Sequence, residues 1–266
     1  MKIFISMDAE GCSGLTRFPE VLPDSLEYSR GTKAMMNDLK TVISTVRAEL
    51  PDSFITVNDG HEEGGNLSLD DFGADEVVRG TGAPFSMMQG IENGFDIAMY
   101  VGYHSMAGTD GIMCHTYFPG SVKRVEFDGE PVGEFGINAA LAEYFGCKSI
   151  FISGDDDVCL YESGRYDWLG TGIVKKVVSP MCAVCFCNTE EILKSAVKNA
   201  LSRAENSGKI NIPKFIRAEF FDGTSWENET KDYSKAFVEM IDIMRKKDTE
   251  YLHIKEEGNR IFGMNI

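Results

Sequence analysis

The sequence predicts an α/β fold: a mixed, largely parallel β-sheet flanked by helices, with a β-hairpin excursion. Short apolar runs rich in β-branched and aromatic residues recur along the chain, and helical patterns lie between several of them. In VKRVEFDGEPV, Asp128 and Gly129 separate two short β-type runs, as in a hairpin turn. We expect a single domain over residues 1–266, with a candidate internal boundary near 207–214.

The predicted elements follow in order along the chain. The strands are KIFIS (2–6), SFITV (53–57), DIAMYVG (96–102), KSIFISG (148–154), IVKKVVS (173–179) and the strand-like IRAEFF (216–221). Apolar residues at helical spacing predict helices over about 25–50, 133–145, 189–205 and 233–245. The second of these helices should bury one face, formed by Ile137, Leu141 and Tyr144 or Phe145.

Composition excludes several classes of partner. Lys and Arg total 26 against 42 Asp and Glu, and the net charge of −16 argues against nucleic acid and anionic membranes. We find no apolar run of membrane-spanning length and no signal-like apolar region at the N-terminus. The seven cysteines are an odd number, typical of reduced thiols, so we expect a cytoplasmic protein. The stretch MCAVCFC contains one CxxC without a second pair, and a buried strand is favoured there over a zinc or redox motif.

The first strand runs directly into SMDAEG, where Asp8 and Glu10 are two residues apart. In an extended chain these carboxylates point the same way and repel each other unless a cation lies between them. A solvated acidic loop is the alternative interpretation of this stretch alone.

Two of the four histidines also follow predicted strands. His61 comes after SFITV, and His104 comes directly after DIAMYVG and Tyr103. Groups beyond the carboxyl ends of parallel strands line one crevice. Glu134 begins a predicted helix, where the helix dipole favours a carboxylate. Each residue alone could be structural, but together the Asp, Glu and His side chains form a ligand set for zinc-like ions.

The carboxylates limit how many ions the site can hold. Asp8, Glu10 and Glu134 carry a charge of −3, so one divalent ion leaves −1 and two ions give +1. The second case suits the attraction of hydroxide and the stabilisation of an oxyanion, and five ligands with one bridging carboxylate suit two metals. Asp8 is the expected bridge because it lies closest to the strand end.

His115 lies in GTDGIMCHTYFPG, a glycine-bounded stretch that predicts a loop. A loop can approach the metals from the side, so we expect His115 to act as a general acid or base or as an oxyanion donor. Its neighbour Cys114 offers a Cys–His nucleophile as an alternative, but adjacent residues rarely point at one reacting atom.

These motifs carry a family resemblance. SMDAEG fits a Ser-x-Asp-x-Glu-Gly signature, and VNDGH, VGYH, the MCH segment and PVGE-GxN (131–138) follow in the same order and spacing. From Met1 to about Asp157 the sequence resembles the zinc-dependent D-aminopeptidases of the DppA type, which are associated with dipeptide transport. The C-terminal third looks diverged.

The resemblance implies a function and a set of roles. Asp8, Glu10, His61, His104 and Glu134 would be ligands of two Zn²⁺ per chain, and His115 would be the catalytic side chain. The family is α/β, forms a decamer of stacked pentameric rings, and releases N-terminal D-amino acids, chiefly D-alanine, from short peptides. Asp155 and Asp156 would support the site or bind the substrate amine, or would form only a solvated acidic turn. Some relatives would prefer L-residues.

Two other functions remain open from the sequence. One is a metal-dependent hydrolase of another amide or of a phosphoester, since dinuclear Asp/His sites serve those reactions too. The other is a non-catalytic subunit that binds metal or peptide. His115 argues against the second, because binding alone does not need a proton-transfer residue.

Overall fold

The computed structural model of the chain describes residues 1–70 and 73–262. Within these ranges the strands are β1 (Lys2–Met7), β2 (Phe54–Asp59), β3 (Glu76–Val78), β4 (Ile97–Tyr103), β5 (Val122–Phe127), β6 (Glu130–Pro131), β7 (Lys148–Asp155), β8 (Gly170–Ser179), β9 (Cys182–Cys185), β10 (Phe215–Phe220) and β11 (Ser225–Glu229). The α-helices are α1 (Tyr28–Glu49), α2 (Glu134–Tyr144), α3 (Asp156–Arg165), α4 (Thr189–Arg203) and α5 (Tyr233–Phe262).

The main sheet has seven strands in the order β3-β2-β1-β4-β7-β8-β9. All neighbouring strands are parallel except β8 and β9, which are antiparallel. The chain passes outward from β1 to β2 and β3 and then returns to the opposite side of β1 as β4. The strand order therefore reverses between β1 and β4, where open α/β sheets place their ligand sites.

Both faces of the central strand β1 are buried. Ile3 and Ile5 belong to one hydrophobic core with Leu39 of α1 and Val197 of α4. Phe4 belongs to the core on the opposite face. This near-continuous apolar sequence is typical of a strand covered on both faces. Packing on both faces fixes the position of the carboxyl end of β1.

A second sheet, in the order β11-β10-β5-β6, packs with α2 and α5 on the opposite face of the main sheet. Phe135 of α2, Ile216 of β10 and Phe237 of α5 share the core that contains Phe4. Helix α2 lies within this layer, and every residue from Glu134 to Ala142 is buried. The helix is therefore buried all round, rather than along one face as its spacing predicted.

The predicted fold class is confirmed, although the sheet is mixed for a different reason. The expected hairpin exists, since β5 and β6 pair across Asp128 and Gly129, but it lies in the second sheet. The antiparallel member of the main sheet is instead β9, at its edge. Among the described helices, none combines the length and apolar character needed to cross a bilayer.

Strand β9 contradicts one expectation. The structure exposes Cys182 and Cys185 of β9, and Cys187 just after it, rather than burying them. The strand β9 lies at the edge of the sheet and pairs only with β8, so one of its sides is open. At the candidate boundary near 207–214, Ile210 is buried in the same core as Phe4. The organisation as a single domain stays a prediction.

Candidate metal centre

Four of the five candidate ligands lie at the carboxyl ends of three adjacent strands of the main sheet, and Glu134 begins α2. Asp8 and Glu10 follow β1, His61 follows β2, and His104 follows β4. The backbone N–H of Asp8 donates to the carbonyl of Val101 in β4 at 2.9 Å, so the strand ladder continues to the first ligand. The reversal of strand order thus positions these side chains at one crevice.

The glycine of SMDAEG permits a close approach between two backbones. The N–H of Gly11 donates to the carbonyl of Gly102 at 2.8 Å. A Cβ atom at Gly11 would lie 1.9 Å from the carbonyl oxygen of Tyr103, and one at Gly102 would lie 2.2 Å from that of Asp8. Gly102 also has a left-handed backbone conformation, with a φ of +75°. Both positions therefore require glycine if the ligands are to lie together.

Carboxylates and imidazoles converge within this crevice. His61 Nδ1 lies 3.2 Å from Asp8 Oδ1 and 3.2 Å from Glu10 Oε2. His104 Nε2 lies 3.5 Å from Asp8 Oδ2 and 3.4 Å from Glu134 Oε1. Each oxygen of the Asp8 carboxylate thus faces a different histidine, and all five residues are buried.

Backbone carbonyls fix the orientation of the histidine rings. His61 Nε2–H donates to the carbonyl of Val21 at 2.8 Å, and His104 Nδ1–H donates to that of Ser105 at 2.8 Å. In the neutral form that binds a metal, the second nitrogen of each ring therefore carries a lone pair directed at the carboxylates. Such outer hydrogen bonds are typical of metal-binding histidines, whose tautomer they determine.

The donor set fits divalent metal ions. Three buried atoms that face the crevice have no hydrogen-bond partner among the described residues: Asp8 Oδ2, Glu10 Oε2 and His104 Nε2. Two groups of ligand atoms lie within 4.8 Å of one another, one from Asp8, Glu10 and His104 and one from His104, His115 and Glu134. Buried polar atoms without partners are costly, and bound cations would satisfy them.

The electrostatics of the crevice agree with this interpretation. Burial and the neighbouring charge of Glu10 raise the pKa of Asp8 to about 7. Burial by itself lowers the pKa of His61 and of His104, but the surrounding carboxylates raise both well above their usual value. The carboxylates thus repel one another and attract positive charge, which is the setting in which a cation binds.

His115 reaches the crevice from the loop between β4 and β5. Its ring stacks on His104, and its Nε2 lies 3.8 Å from Glu134 Oε1. Its Nδ1–H donates to the carbonyl of Met113 at 2.8 Å. Met113 and Tyr117 on either side have positive φ values of 49° and 59°, a costly conformation for residues other than glycine and one often found at functional sites.

The crevice opens into a cavity of about 460 Å³ with an acidic lining. Its carboxylates are Asp8, Glu10, Glu62, Glu63, Glu134 and Asp248, and its basic residues among those described are Arg245, His61 and His115. Phe18, Leu22, Met87 and Phe118 supply apolar walls. A cavity of this size suits a small ligand, and its charge favours a cationic group.

The structure brings together all six residues that the sequence singled out, whereas the first two aspartates of GDDD are not among the described residues that line the cavity. Asp155 is fully buried and caps α3, with Oδ1 accepting from the N–H of Val158 and Oδ2 from that of Ile112. Asp156 accepts from the N–H of Val177 at 2.7 Å. Neither forms a solvated turn, because α3, which the sequence did not predict, begins at this point.

Sequence reasoning missed several supporting residues. Asn138 Nδ2 donates to the hydroxyl of Tyr103 at 2.8 Å, and Tyr117 donates to Asn138 Oδ1 at 2.5 Å. The N–H of Tyr117 donates to Glu134 Oε1 at 2.7 Å and so holds a candidate ligand in place. Asn138 was visible as the final residue of PVGE-GxN, a polar residue within the largely apolar sequence of α2.

Comparison with known proteins identifies the family. Residues 1–255 match the family model described as D-aminopeptidase (peptidase family M55). This match extends well beyond Asp157, where the resemblance noted from the sequence ends. A D-aminopeptidase of Bacillus subtilis (strain 168) is 32% identical over 189 residues, which cover 70% of this chain and 67% of the relative. The solved structure of Zn-dependent D-aminopeptidase DppA from Bacillus subtilis, a self-compartmentalizing protease, is similar with a TM-score of 0.87 and 25% identity, over 94% of this chain and 98% of the other. The chain therefore belongs to the D-aminopeptidase family and is a peptidase of the aminopeptidase class.

Proposed function

We propose that this protein is a dinuclear zinc aminopeptidase that releases N-terminal D-amino acids, such as D-alanine, from short peptides. The observation that carries the proposal is the Asp8 carboxylate, whose two oxygens face His61 and His104 on opposite sides. A carboxylate in this position suits a bridge between two ions. The similarity to DppA, a Zn-dependent enzyme, supports zinc as the metal.

The ligands divide naturally into two sets around Asp8. Glu10 and His61 lie on the side of Oδ1, and His104 and Glu134 lie on the side of Oδ2. Glu10 and His61 would hold one zinc, His104 and Glu134 would hold the other, and Asp8 would contribute to both. When bound, zinc ions polarise a substrate carbonyl and lower the pKa of water towards neutrality.

His115 is positioned to move a proton. Because its Nδ1–H is held by the carbonyl of Met113, the free Nε2 is the proton acceptor. Burial and the charge of His104 lower the pKa of His115, so the ring is neutral and able to accept a proton at neutral pH. It can take a proton from attacking water and deliver it to the leaving amide nitrogen.

The outer carboxylates explain a preference for a free N-terminus. Glu62, Glu63 and Asp248 lie at the mouth of the same cavity as the candidate ligands. An α-ammonium near these side chains would be stabilised by opposite charge, and the first peptide bond could then lie beside the candidate metal ligands. The apolar wall formed by Phe18, Leu22 and Met87 suits an apolar side chain such as the methyl group of alanine.

The same charge disfavours hydrolysis of a phosphoester. The described lining residues include six carboxylates and the guanidinium group of Arg245. The positive charge of Arg245 and two divalent ions together would not exceed the negative charge of these carboxylates. Arg245 also pairs with Asp242 at 3.0 Å. A phosphate dianion needs convergent positive groups, whereas an ammonium group needs negative ones.

Assembly and location also form part of the proposal. The relative described as self-compartmentalizing supports a homo-oligomer, and we propose the decamer of stacked pentameric rings expected from the resemblance. In such an assembly, narrow access would restrict substrates to short peptides. The cytoplasmic location inferred from the cysteines stays a prediction.

A substrate panel tests the proposal. The zinc-loaded protein should release alanine from D-alanyl dipeptides faster than from their L-alanyl counterparts, and it should not hydrolyse a phosphomonoester. N-acetylation of the dipeptide should abolish turnover, because it removes the ammonium group. Faster turnover of the phosphomonoester would favour the alternative hydrolase, and metal binding without turnover of any peptide would favour a binding subunit.

A further inference from the structure

A fully buried lysine lies behind the metal centre. Lys175 is in β8 and is 0% exposed, although lysine is almost never buried unless its charge is satisfied. Its Nζ donates to three backbone carbonyls, those of Glu10 at 2.5 Å, Cys12 at 3.1 Å and Leu15 at 2.6 Å. All three hydrogens of the ammonium group therefore have acceptors.

The three acceptors belong to one segment, the loop that follows β1 and contains Asp8 and Glu10. One acceptor is the carbonyl of Glu10 itself. Asp38 of α1 holds the same loop, since its Oδ2 accepts from the N–H of Ser13 at 2.8 Å. The ammonium group thus binds three carbonyls of this loop from one central position, as a metal cation would.

Lys175 acts from behind the loop and not within the substrate cavity. The Glu10 side chain lines the cavity, whereas Lys175 is not among its described lining residues. The backbone of Glu10 is held by Lys175 while its carboxylate faces His61. A shift of this loop would therefore move the carboxylates of Asp8 and Glu10 together.

We infer that Lys175 is a positioning residue for the metal centre: its ammonium holds the backbone that directs Asp8 and Glu10 at the ions. This inference rests on the proposed metal site. Outer contacts that orient metal ligands typically contribute 10–100-fold to metal affinity or activity, so the effect of removing this one should be of that order.

The test compares two lysine variants. Lys175→Met keeps much of the side-chain volume but removes the three hydrogen bonds and the charge. Lys148→Met is the matched control, because Lys148 Nζ also donates to backbone carbonyls, those of Ala204 and Glu205 at 3.4 and 3.1 Å, away from the metal centre. Zinc affinity is measured for both by competition with a chromophoric chelator, beside the wild-type protein.

We expect Lys175→Met to bind zinc about 10–100-fold more weakly, with Lys148→Met unchanged. At saturating zinc, kcat of Lys175→Met for a D-alanyl dipeptide should fall while KM stays near the wild-type value, because Lys175 does not contact the cavity. Lys175→Gln, a neutral side chain that keeps N–H donors, should lose less affinity than Lys175→Met. The variant Lys175→Gln also tests the inference if Lys175→Met does not fold.

Three results would overturn the inference. They are wild-type zinc affinity in a folded Lys175→Met, equal losses in the Lys175 and Lys148 variants, and a rise in KM with kcat unchanged. Failure of the proposed function gives a different result, since the wild-type protein itself would then bind fewer than two zinc ions or fail to turn over the D-alanyl dipeptide in the same assays, whatever the lysine variants do.

Discussion

His104 and His115 stack face to face, with ring centroids 4.1 Å apart and 15° between the ring planes. Both rings donate Nδ1–H to a backbone carbonyl, and both direct Nε2 towards Glu134 Oε1, at 3.4 and 3.8 Å. The shorter contact belongs to His104, whose Nε2 also faces Asp8, whereas the Nε2 of His115 faces the carboxylate of Glu134. This asymmetry supports His104 as a metal ligand and His115 as the residue that moves the proton.

Replacing His115 should separate chemistry from metal binding. His115→Ala should retain nearly normal zinc content and lose turnover by about 10²–10⁴-fold, or roughly 3–5 kcal/mol of transition-state stabilisation. Zinc analysis and steady-state kinetics on one preparation measure both effects. Cys114→Ser is the control and should remain active, because the Cys114 thiol donates to the carbonyl of Thr109 at 2.9 Å. Loss of a zinc in His115→Ala would instead make His115 a ligand, as its grouping with His104 and Glu134 allows.

Asp8 should matter to both ions, since each of its oxygens faces a different histidine. Asp8→Ala should lose most of both zinc equivalents, whereas Glu10→Ala should weaken chiefly the ion on the His61 side. Metal content after dialysis against zinc-free buffer distinguishes these outcomes. A full equivalent of zinc retained by Asp8→Ala would show that Asp8 does not bridge.

The placement of the candidate ligands could be predicted from the sequence because it depends on local signals. Asp8, His61 and His104 each follow a recognisable strand, and parallel strands bring their carboxyl ends to one edge of the sheet. The role of Lys175 could not be predicted, because it depends on contact between β8 and a loop about 160 residues earlier in the chain. Its one sequence signal was a lysine within the apolar run IVKKVVS.

The other differences between the predicted and the observed structure also arise from contacts between distant parts of the chain. The helical spacing of α2 predicted one buried face, but burial all round depends on the second sheet and α5, which pack there from distant parts of the chain. The exposure of Cys182 and Cys185 follows from the edge position of β9, which strand order determines and local composition does not. Predicted strand positions were therefore more informative than predicted burial.

Glu162 should make stability depend on pH. This residue of α3 is 2% exposed, and its Oε2 has no hydrogen-bond partner among the described residues. Burial raises its pKa from 4.5 to about 7, against the opposing charge of Arg165. Between these values the folded protein keeps a proton that the unfolded chain releases, so the free energy of unfolding falls as pH rises through this window.

Glu162→Gln should remove this dependence, because its side chain stays neutral. The free energy of unfolding of Glu162→Gln minus that of wild type should therefore rise by roughly 2–3 kcal/mol from pH 5 to pH 8. Urea unfolding of both proteins at the two pH values measures the difference, and other titrating groups cancel in the comparison. An identical pH dependence in the two proteins would show that Glu162 is not a buried carboxyl group with a raised pKa.

Assembly should be visible in solution. Light scattering at micromolar concentration should give a mass far above the 29.4 kDa of one chain, close to ten chains for the proposed rings. Because the chain carries a net charge of −16, repulsion between copies should weaken the assembly at low salt. A monomer or dimer at every salt concentration would remove the argument that enclosure selects short peptides.

The number of zinc ions per chain tests the central claim most directly. The three carboxylates and two imidazoles that converge on the crevice, with Asp8 between the two histidines, predict about two zinc ions per chain. The measurement is elemental analysis of protein purified without chelators and equilibrated with a small excess of zinc, then freed of unbound metal. A value close to two is the predicted result, and a value of one or less would contradict the dinuclear site.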